Sequence, residues 1–163
     1  MMGDGSATDR AGTTTQAGYV AGSIAAQDGL NCGVFNGCFY NDPTTQKPTW
    51  KNYYPGAVNI TTGYIDACVF DNPQQLFEAQ TAGTLTQASV GSLVDTGTYV
   101  AGDTVNGHSK CEISSSVVGS GATGQWRIIR LSEDPSNSDV SSANSNWVVR
   151  LNESIYYNNG TRT

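Results

Sequence analysis

The sequence predicts an all-β, mainly antiparallel fold in which a single domain forms a sandwich or a small barrel. Three observations support this prediction: abundant turn-forming residues, short apolar segments that alternate with polar residues, and only one credible helix start. Gly, Ser, Thr and Asn make up roughly 40% of the 163 residues, and they favour strands joined by turns over helices. A chain of this length fits one domain and folds without needing a metal or a disulfide.

Strands are predicted in the first half of the chain where apolar and aromatic residues cluster. Residues 19–25, 34–40 and 64–70 are the main candidates, and Val58 and Ile60 alternate with polar neighbours as a half-buried strand requires. Prolines at positions 43 and 48 exclude a helix in the intervening loop, because proline removes a hydrogen-bond donor and restricts its neighbour.

The one helix signal is Asn72-Pro73, with asparagine at the N-cap and proline at the first helical position. The following stretch, 74–80, is compatible with one or two helical turns. It is equally compatible with a turn that leads into a strand over Leu76–Gln80. The sequence therefore allows at most one short helix.

The second half of the chain contains two hairpin signals. Asn106-Gly107 indicates a tight turn, since both turn residues tolerate positive φ, and residues 111–118 are predicted to be the return strand or its continuation. The clearer hairpin joins Trp126–Leu131 to a strand in which Trp147, Val149 and Leu151 share one face. The polar linker between them, 132–146, is predicted to be an exposed loop.

The N-terminal segment, residues 1–17, is rich in Gly, Thr and Ala and has little apolar content. Such a segment is predicted to be an extended arm that lies on a neighbouring subunit, with packing on its own domain as the alternative, and residues 18–163 are predicted to form the β-rich domain.

The charge of the chain argues against two classes of partner. The formal net charge is −6, the pI is near 4.4, and the three lysines and five arginines are scattered. DNA binding uses clustered Lys and Arg, so neither nucleic acid nor an anionic membrane surface is an expected partner. No apolar run is long enough to span a bilayer, and residues 1–6 lack a secretory signal, so synthesis in the cytoplasm is expected.

Neither a catalytic centre nor a cofactor or metal site is predicted. His108 is the only histidine and lies beside the predicted Asn106-Gly107 turn, and no nucleophile elbow or P-loop is present. The spacing of the four cysteines, Cys32, Cys38, Cys68 and Cys111, matches no zinc pattern. They are expected to be free, buried thiols, although a bridge between Cys32 and Cys38 formed in an oxidising medium stays an alternative.

The aromatic cluster around position 50 is the most informative local feature. Trp50, Tyr53 and Tyr54 lie beside Lys47 and Lys51, and this combination suits contact with a protein partner or a sugar ring. The alternative is a loop that folds over its own sheet and buries these rings. A further candidate contact residue is Tyr19 in the first predicted strand.

Several stretches resemble one class of viral protein. Residues 33–40 (GVFNGCFY), 42–45 and 47–54 are similar to a segment of structural proteins from tailed bacteriophages, which are typically encoded near the major capsid gene. Residues 70–73, 76–80, 124–131 and 149–153 also resemble parts of phage head-associated proteins. The run 33–40 is the more specific match, and together the stretches cover about half of the chain.

The resemblance implies a virion component without catalytic residues, of the capsid decoration or cement type. Its expected partners are the major capsid protein and, in a homo-oligomer, further copies of itself. The acidic charge places such a protein on the exterior of a shell packed with DNA, after assembly in the host cytoplasm. A head-fibre or tail-associated module that recognises a host glycan or surface protein is the alternative.

Overall fold

The computed structural model describes residues 31, 33–55, 65–97, 102–103, 105–120 and 122–154. In these ranges the backbone forms eight strands and one 3-10 turn at Gln87–Ser89. The strands are β1 (Val34–Asn41), β2 (Pro48–Lys51), β3 (Asp66–Phe70), β4 (Leu76–Gln80), β5 (Leu93–Thr96), β6 (Ile113–Val117), β7 (Trp126–Leu131) and β8 (Asn146–Leu151).

The eight strands form two antiparallel sheets, which confirms the predicted all-β fold. The smaller sheet has the order β2-β1-β3 and the larger has the order β4-β8-β7-β5-β6. Every pairing between these named strands is antiparallel, and the parallel contacts in the described ranges are two isolated bridges. This arrangement is consistent with a sandwich.

The larger sheet curls around the hydrophobic core. Its two edge strands, β4 and β6, approach each other beyond the end of β4, where Thr81 forms a bridge with Ile113 and the Ala82 N–H donates to the Ile113 carbonyl at 2.9 Å. The core enclosed in this way consists of buried side chains from four strands and the β4–β5 connection: Leu85, Val94, Ile113, Ile128, Trp147 and Val149.

The hairpin of β7 and β8 forms the centre of the larger sheet, as predicted. Trp147, Val149 and Leu151 are all buried on one face, and Trp126 packs against the same core. Val148 on the opposite face is also buried, so this hairpin is less exposed on its outer side than simple alternation predicts.

The Asn72-Pro73 signal starts a turn and not a helix. The side chain of Asn72 accepts the Gln74 N–H at 2.9 Å, and the Asn72 carbonyl accepts the Gln75 N–H at 3.0 Å. The chain then enters β4, where Phe77 pairs with Val149 of β8. Burial of Phe77 against this neighbouring strand favours the extended alternative over the helix.

The Asn106-Gly107 turn exists, but it does not close a two-residue hairpin. Gly107 has a φ of 75°, whereas Asn106 is not among the residues with positive φ. The connection between β5 and β6 is instead long, and the Asp103 N–H donates to the His108 carbonyl across the turn at 2.9 Å. His108 is exposed there, as expected.

The 132–146 loop is polar and mostly exposed, yet it is held by its own side chains. Asn137 Nδ2 donates to the Asn144 carbonyl at 3.0 Å and to Asn146 Oδ1 at 2.9 Å. Ser141 and Ser142 donate to Asp139, and these hydrogen bonds lower the pKa of the Asp139 carboxyl. Local hydrogen bonds of this kind are the reason that Asn, Asp and Ser favour loops.

Several predictions fall outside the described residues: the 1–17 arm, the 19–25 strand with Tyr19, the Val58 and Ile60 strand, and Cys32 with its alternative bridge. Cys38, Cys68 and Cys111 form no disulfide with one another; Cys38 is buried as expected, whereas Cys68 and Cys111 are only half-buried. In the described ranges no helix has the length and apolar character that crossing a bilayer requires.

Candidate binding face of the three-stranded sheet

The two faces of the smaller sheet differ sharply in exposure. Along β1, Cys38 and Tyr40 are buried, whereas Phe39 between them is 43% exposed. Successive side chains of a strand point to opposite faces, so Cys38 and Tyr40 define a buried face and Phe39 defines an outer face. Trp50 lies directly opposite Phe39 on β2 and is 48% exposed. Two aromatic side chains therefore lie next to each other on the outer face.

A glycine on β1 makes room for the tryptophan. A Cβ atom at Gly37 would lie 2.4 Å from Cζ2 and 3.0 Å from Cε2 of Trp50, which is too close for any side chain. The six-membered ring of the indole thus covers the backbone of Gly37, which lies two residues before Phe39 on the same face. This aromatic ring over a strand glycine restores packing that the glycine by itself lacks.

Phe70 extends the outer face onto β3. The pairing of Gly37 with Cys68 places Cys68, and two residues later Phe70, on the same side as Trp50. Phe70 is 49% exposed, and its ring lies 6.5 Å from that of Phe77 in β4. Phe77 in turn contacts Trp126 edge-on at 6.0 Å. A chain of aromatic contacts therefore joins the outer face to the core of the larger sheet.

The segment after β2 folds back over the buried face. The Cys38 thiol donates to the Tyr53 carbonyl at 3.3 Å, and the Lys51 ammonium lies 5.6 Å from the centroid of the Tyr53 ring. Burial raises the pKa of the Cys38 thiol, and the nearby Cys68 raises it further. Lys51 alternates with Trp50 on β2, so the two side chains point to opposite faces of the sheet.

A tight turn joins β1 to β2 and sets their register. Asp42 accepts the N–H groups of Thr44 at 2.8 Å and Thr45 at 2.9 Å, and its own N–H donates to the Lys47 carbonyl at 2.9 Å. The hydrogen bonds from Thr45 and Thr44 lower the pKa of the Asp42 carboxyl. This turn explains why Trp50 meets Phe39, because it determines which residues of the two strands pair.

Asn52 connects the smaller sheet to the long β5–β6 connection. Its Nδ2 donates to the Asn106 carbonyl at 2.7 Å, and a Cβ at Gly107 would collide with the Asn52 amide group. The glycine at position 107 is therefore needed for its positive φ and for this close approach. The tip of the connection is apolar, since Val105 is 91% exposed.

The structure separates the residues that the sequence grouped into one candidate site. Trp50 and Tyr54 are exposed, whereas Tyr53 is half-buried and stacks with Lys51 on the other side of the sheet. Lys47 is exposed in the turn before β2. The outer face also contains Phe39, which the sequence analysis did not select. Phe39 is identified by the burial of Cys38 and Tyr40 on either side of it, which the structure shows and the sequence does not.

In the described part of the chain, the exposed aromatic side chains are a clearer candidate for a functional site than any cluster of titratable side chains. No set of three or more His, Cys, Asp or Glu side chains in these ranges is arranged to hold a metal ion. Asp42 and Asp139 accept hydrogen bonds within their own turns, and Glu133 forms an ion pair with Arg130 at 3.2 Å. The best candidate for a functional site is therefore the outer surface formed by Phe39, Trp50 and Phe70. We call these three residues the aromatic face.

No protein-family model matches the chain, and no curated protein or solved structure is significantly similar to it.

Proposed function

We propose that this chain is a capsid decoration protein of a tailed bacteriophage, and that its aromatic face contacts the major capsid protein on the outside of the head. The observation that supports the proposal best is the exposure of Phe39, Trp50 and Phe70 on one side of a small sheet. Aromatic side chains supply much of the binding energy of protein interfaces, because they bury large areas with few rotatable bonds. The sequence resemblance and the acidic charge support the same assignment.

The size of the aromatic face implies that other contacts contribute. Three aromatic side chains, each about half exposed, present on the order of 300 Å², against about 800 Å² per partner in a stable interface. The predicted arm of residues 1–17 is a candidate for additional area, either by adding a strand to a capsid sheet or by lying along a seam. Bridging several capsid subunits stabilises the shell, because binding selects the assembled state.

The proposal is tested by measuring the thermal and osmotic stability of phage heads that lack the protein. Bare heads should release DNA at lower temperature, and adding the wild-type chain should restore them. Trp50→Ala should reduce occupancy on heads by at least about tenfold. Val117→Ala is the matched control, because Val117 is 45% exposed on the other sheet, and it should bind normally.

Equal robustness of bare and decorated heads would show that bracing is not the function. Deleting residues 1–17 should lower occupancy while the far-UV circular dichroism of the domain stays unchanged. Full occupancy after this deletion would show that residues 1–17 do not contribute to binding of the head.

A second function is favoured by one feature of the same face. The indole of Trp50 lies over Gly37 beside Phe39, and an aromatic ring supported in this way can stack against a sugar ring. A recognition module for host glycans would use this geometry. Copy number separates the two functions, since a decoration protein is present in hundreds of copies per head and a tail or fibre module in a handful. Calorimetry with host polysaccharide, using Trp50→Ala as the control, tests glycan binding directly.

A further inference from the structure

The turn in the β5–β6 connection places an exposed asparagine directly before a glycine. Asn106 is exposed, and Gly107 has a φ of 75°. An asparagine that precedes a glycine is chemically labile, because the glycine has no side chain to hinder the approach of its main-chain nitrogen to the side-chain carbonyl carbon of the asparagine. In a folded chain, the packing and hydrogen bonding around the pair decide whether this approach occurs.

Two hydrogen bonds at this turn favour the reaction. Asn52 Nδ2 donates to the Asn106 main-chain carbonyl at 2.7 Å. When the Gly107 amide loses its proton, resonance in the peptide group places negative charge on this oxygen, so the donor makes the proton easier to remove. The His108 N–H donates to Asn106 Oδ1 at 2.9 Å, and negative charge develops on Oδ1 when the glycine nitrogen attacks.

One hydrogen bond opposes the reaction. The Gly107 N–H donates to the Asp103 carbonyl at 2.8 Å, and this bond must open before the nitrogen can attack. A single hydrogen bond in a surface turn opens readily, so it slows the reaction by at most about tenfold. The turn therefore allows the attack, and the two donors from Asn52 and His108 assist it.

We propose that Asn106 is a site of spontaneous deamidation, in which the chain modifies itself and water is the only other reactant. The Gly107 nitrogen gives its proton to solvent and forms a bond to Asn106 Cγ. The bond from Cγ to Nδ2 breaks, and Nδ2 takes up a proton and leaves as ammonia. Water then opens the cyclic imide at either of its two carbonyls, which yields aspartate or isoaspartate. Nothing is oxidised or reduced.

The modification changes the contact between the turn and the smaller sheet. The isoaspartate product adds a negative charge and lengthens the main chain of the turn by one methylene group. The turn is closed by the Asp103 N–H, which donates to the His108 carbonyl at 2.9 Å, and it is joined to β2 through Asn52. Because a longer main chain does not fit these hydrogen bonds, we expect deamidation to loosen the β5–β6 connection from the end of β2.

A second pair of the same type provides an internal reference. Asn36 is exposed like Asn106, but Gly37 after it is buried in β1, which is paired on both sides. The indole of Trp50 also covers the Gly37 backbone. Attack by the Gly37 nitrogen would require β1 to separate from its neighbours, so Asn36 should be protected. A third pair, Asn159-Gly160, lies outside the described residues.

The test follows deamidation of the full chain in a mildly alkaline buffer by proteolytic digestion and mass spectrometry. In the folded chain, Asn106 should react at least about tenfold faster than Asn36. In concentrated urea the two rates should become similar, because unfolding removes the protection of Asn36. Equal rates in the folded chain would overturn the proposal. An Asn106 that stays intact in the folded chain but reacts in urea would also overturn it.

Two variants test the roles assigned to the side chains. Asn52→Ala should slow the reaction at Asn106 by about threefold or more and leave the rate at Asn36 unchanged. Because Asn52 is exposed, the far-UV circular dichroism should not change, and a faster reaction at Asn106 would overturn the assisting role of Asn52. Asn106→Gln is the control, since the larger ring forms far more slowly, and product that persists in this peptide would assign the reaction to another residue.

The outcome is independent of the proposed decoration function. Deamidation is measured on the chain alone, whereas decoration depends on Trp50 and on phage heads. A chain that deamidates at Asn106 but leaves heads unbraced would therefore contradict only the decoration function.

Discussion

The two sheets use similar aromatic residues in opposite ways. In the larger sheet Trp147 is completely buried, and its indole N–H donates to the buried Ser145 hydroxyl at 3.0 Å. In the smaller sheet Trp50 is 48% exposed and covers a glycine. The difference arises from the surroundings, because Trp147 has strands on both sides and Trp50 lies on an edge strand of the smaller sheet. Stability is therefore concentrated in the larger sheet, and the smaller sheet is left with an apolar surface for contact.

The largest expected effect is the loss of Trp147. Trp147→Ala should lower the free energy of unfolding by about 3–5 kcal/mol, because it removes a buried indole and leaves a cavity in the core. Trp50→Ala should lower it by less than about 1 kcal/mol, since the ring is half exposed and its removal leaves a groove open to water. Urea denaturation followed by circular dichroism measures both. Similar losses from the two substitutions would contradict the contrast between the sheets.

A smaller effect is expected where the aromatic face depends on a glycine. Gly37→Ala should cost about 1–3 kcal/mol, because the new Cβ would meet the Trp50 ring at 2.4 Å and the Lys51 carbonyl at 2.7 Å. Displacement of the indole should change the tryptophan fluorescence. Gly119→Ala is the control, since a Cβ there meets nothing within 4 Å, and it should be close to neutral. An unchanged fluorescence spectrum in Gly37→Ala would show that Trp50 does not lie over the glycine.

The smallest expected effect concerns the turn that sets the register of the aromatic face. The pKa of Asp42 is lowered in the folded chain, so its contribution to stability is present above the ordinary Asp pKa and is lost as pH falls through the lowered value. The amide proton shifts of Thr44 and Thr45 should titrate with that lowered pKa in NMR spectra. In Asp42→Asn this titration should vanish. A midpoint at or above the ordinary Asp value would contradict the hydrogen bonds described for this turn.

Local patterns predicted strands of both sheets. In the smaller sheet, the predicted strands at 34–40 and 64–70 correspond to β1 and β3, whereas β2 was not predicted. The predicted bounds of Trp126–Leu131 agree with β7, and the shared face of Trp147, Val149 and Leu151 is confirmed, because alternation within one hairpin is a local property. The stretch after Asn72 stayed ambiguous, because its capping pattern suits a helix while its pairing with β8 favours a strand. Tertiary pairing outweighed the local propensity there.

The candidate site was predicted only in part, because closeness in sequence does not place side chains on one face. Trp50 and Lys51 are neighbours in the chain, yet alternation along β2 separates them, and Lys51 contacts Tyr53 instead. Phe39 was missed because its exposure depends on what covers each face of β1. The residues around position 39 do not indicate which face of β1 is covered and which is exposed.

The sequence by itself determined an antiparallel β fold and a negative net charge carried by few charged residues. It also determined which residues share a face within the final hairpin. These properties follow from composition and from the two-residue period of a strand, which act over a few neighbouring residues. Only the tertiary structure decided that Trp50 meets Phe39 over Gly37 and that Arg127 faces Arg150. Both contacts depend on strand order and register, which are set by packing between segments far apart in the chain.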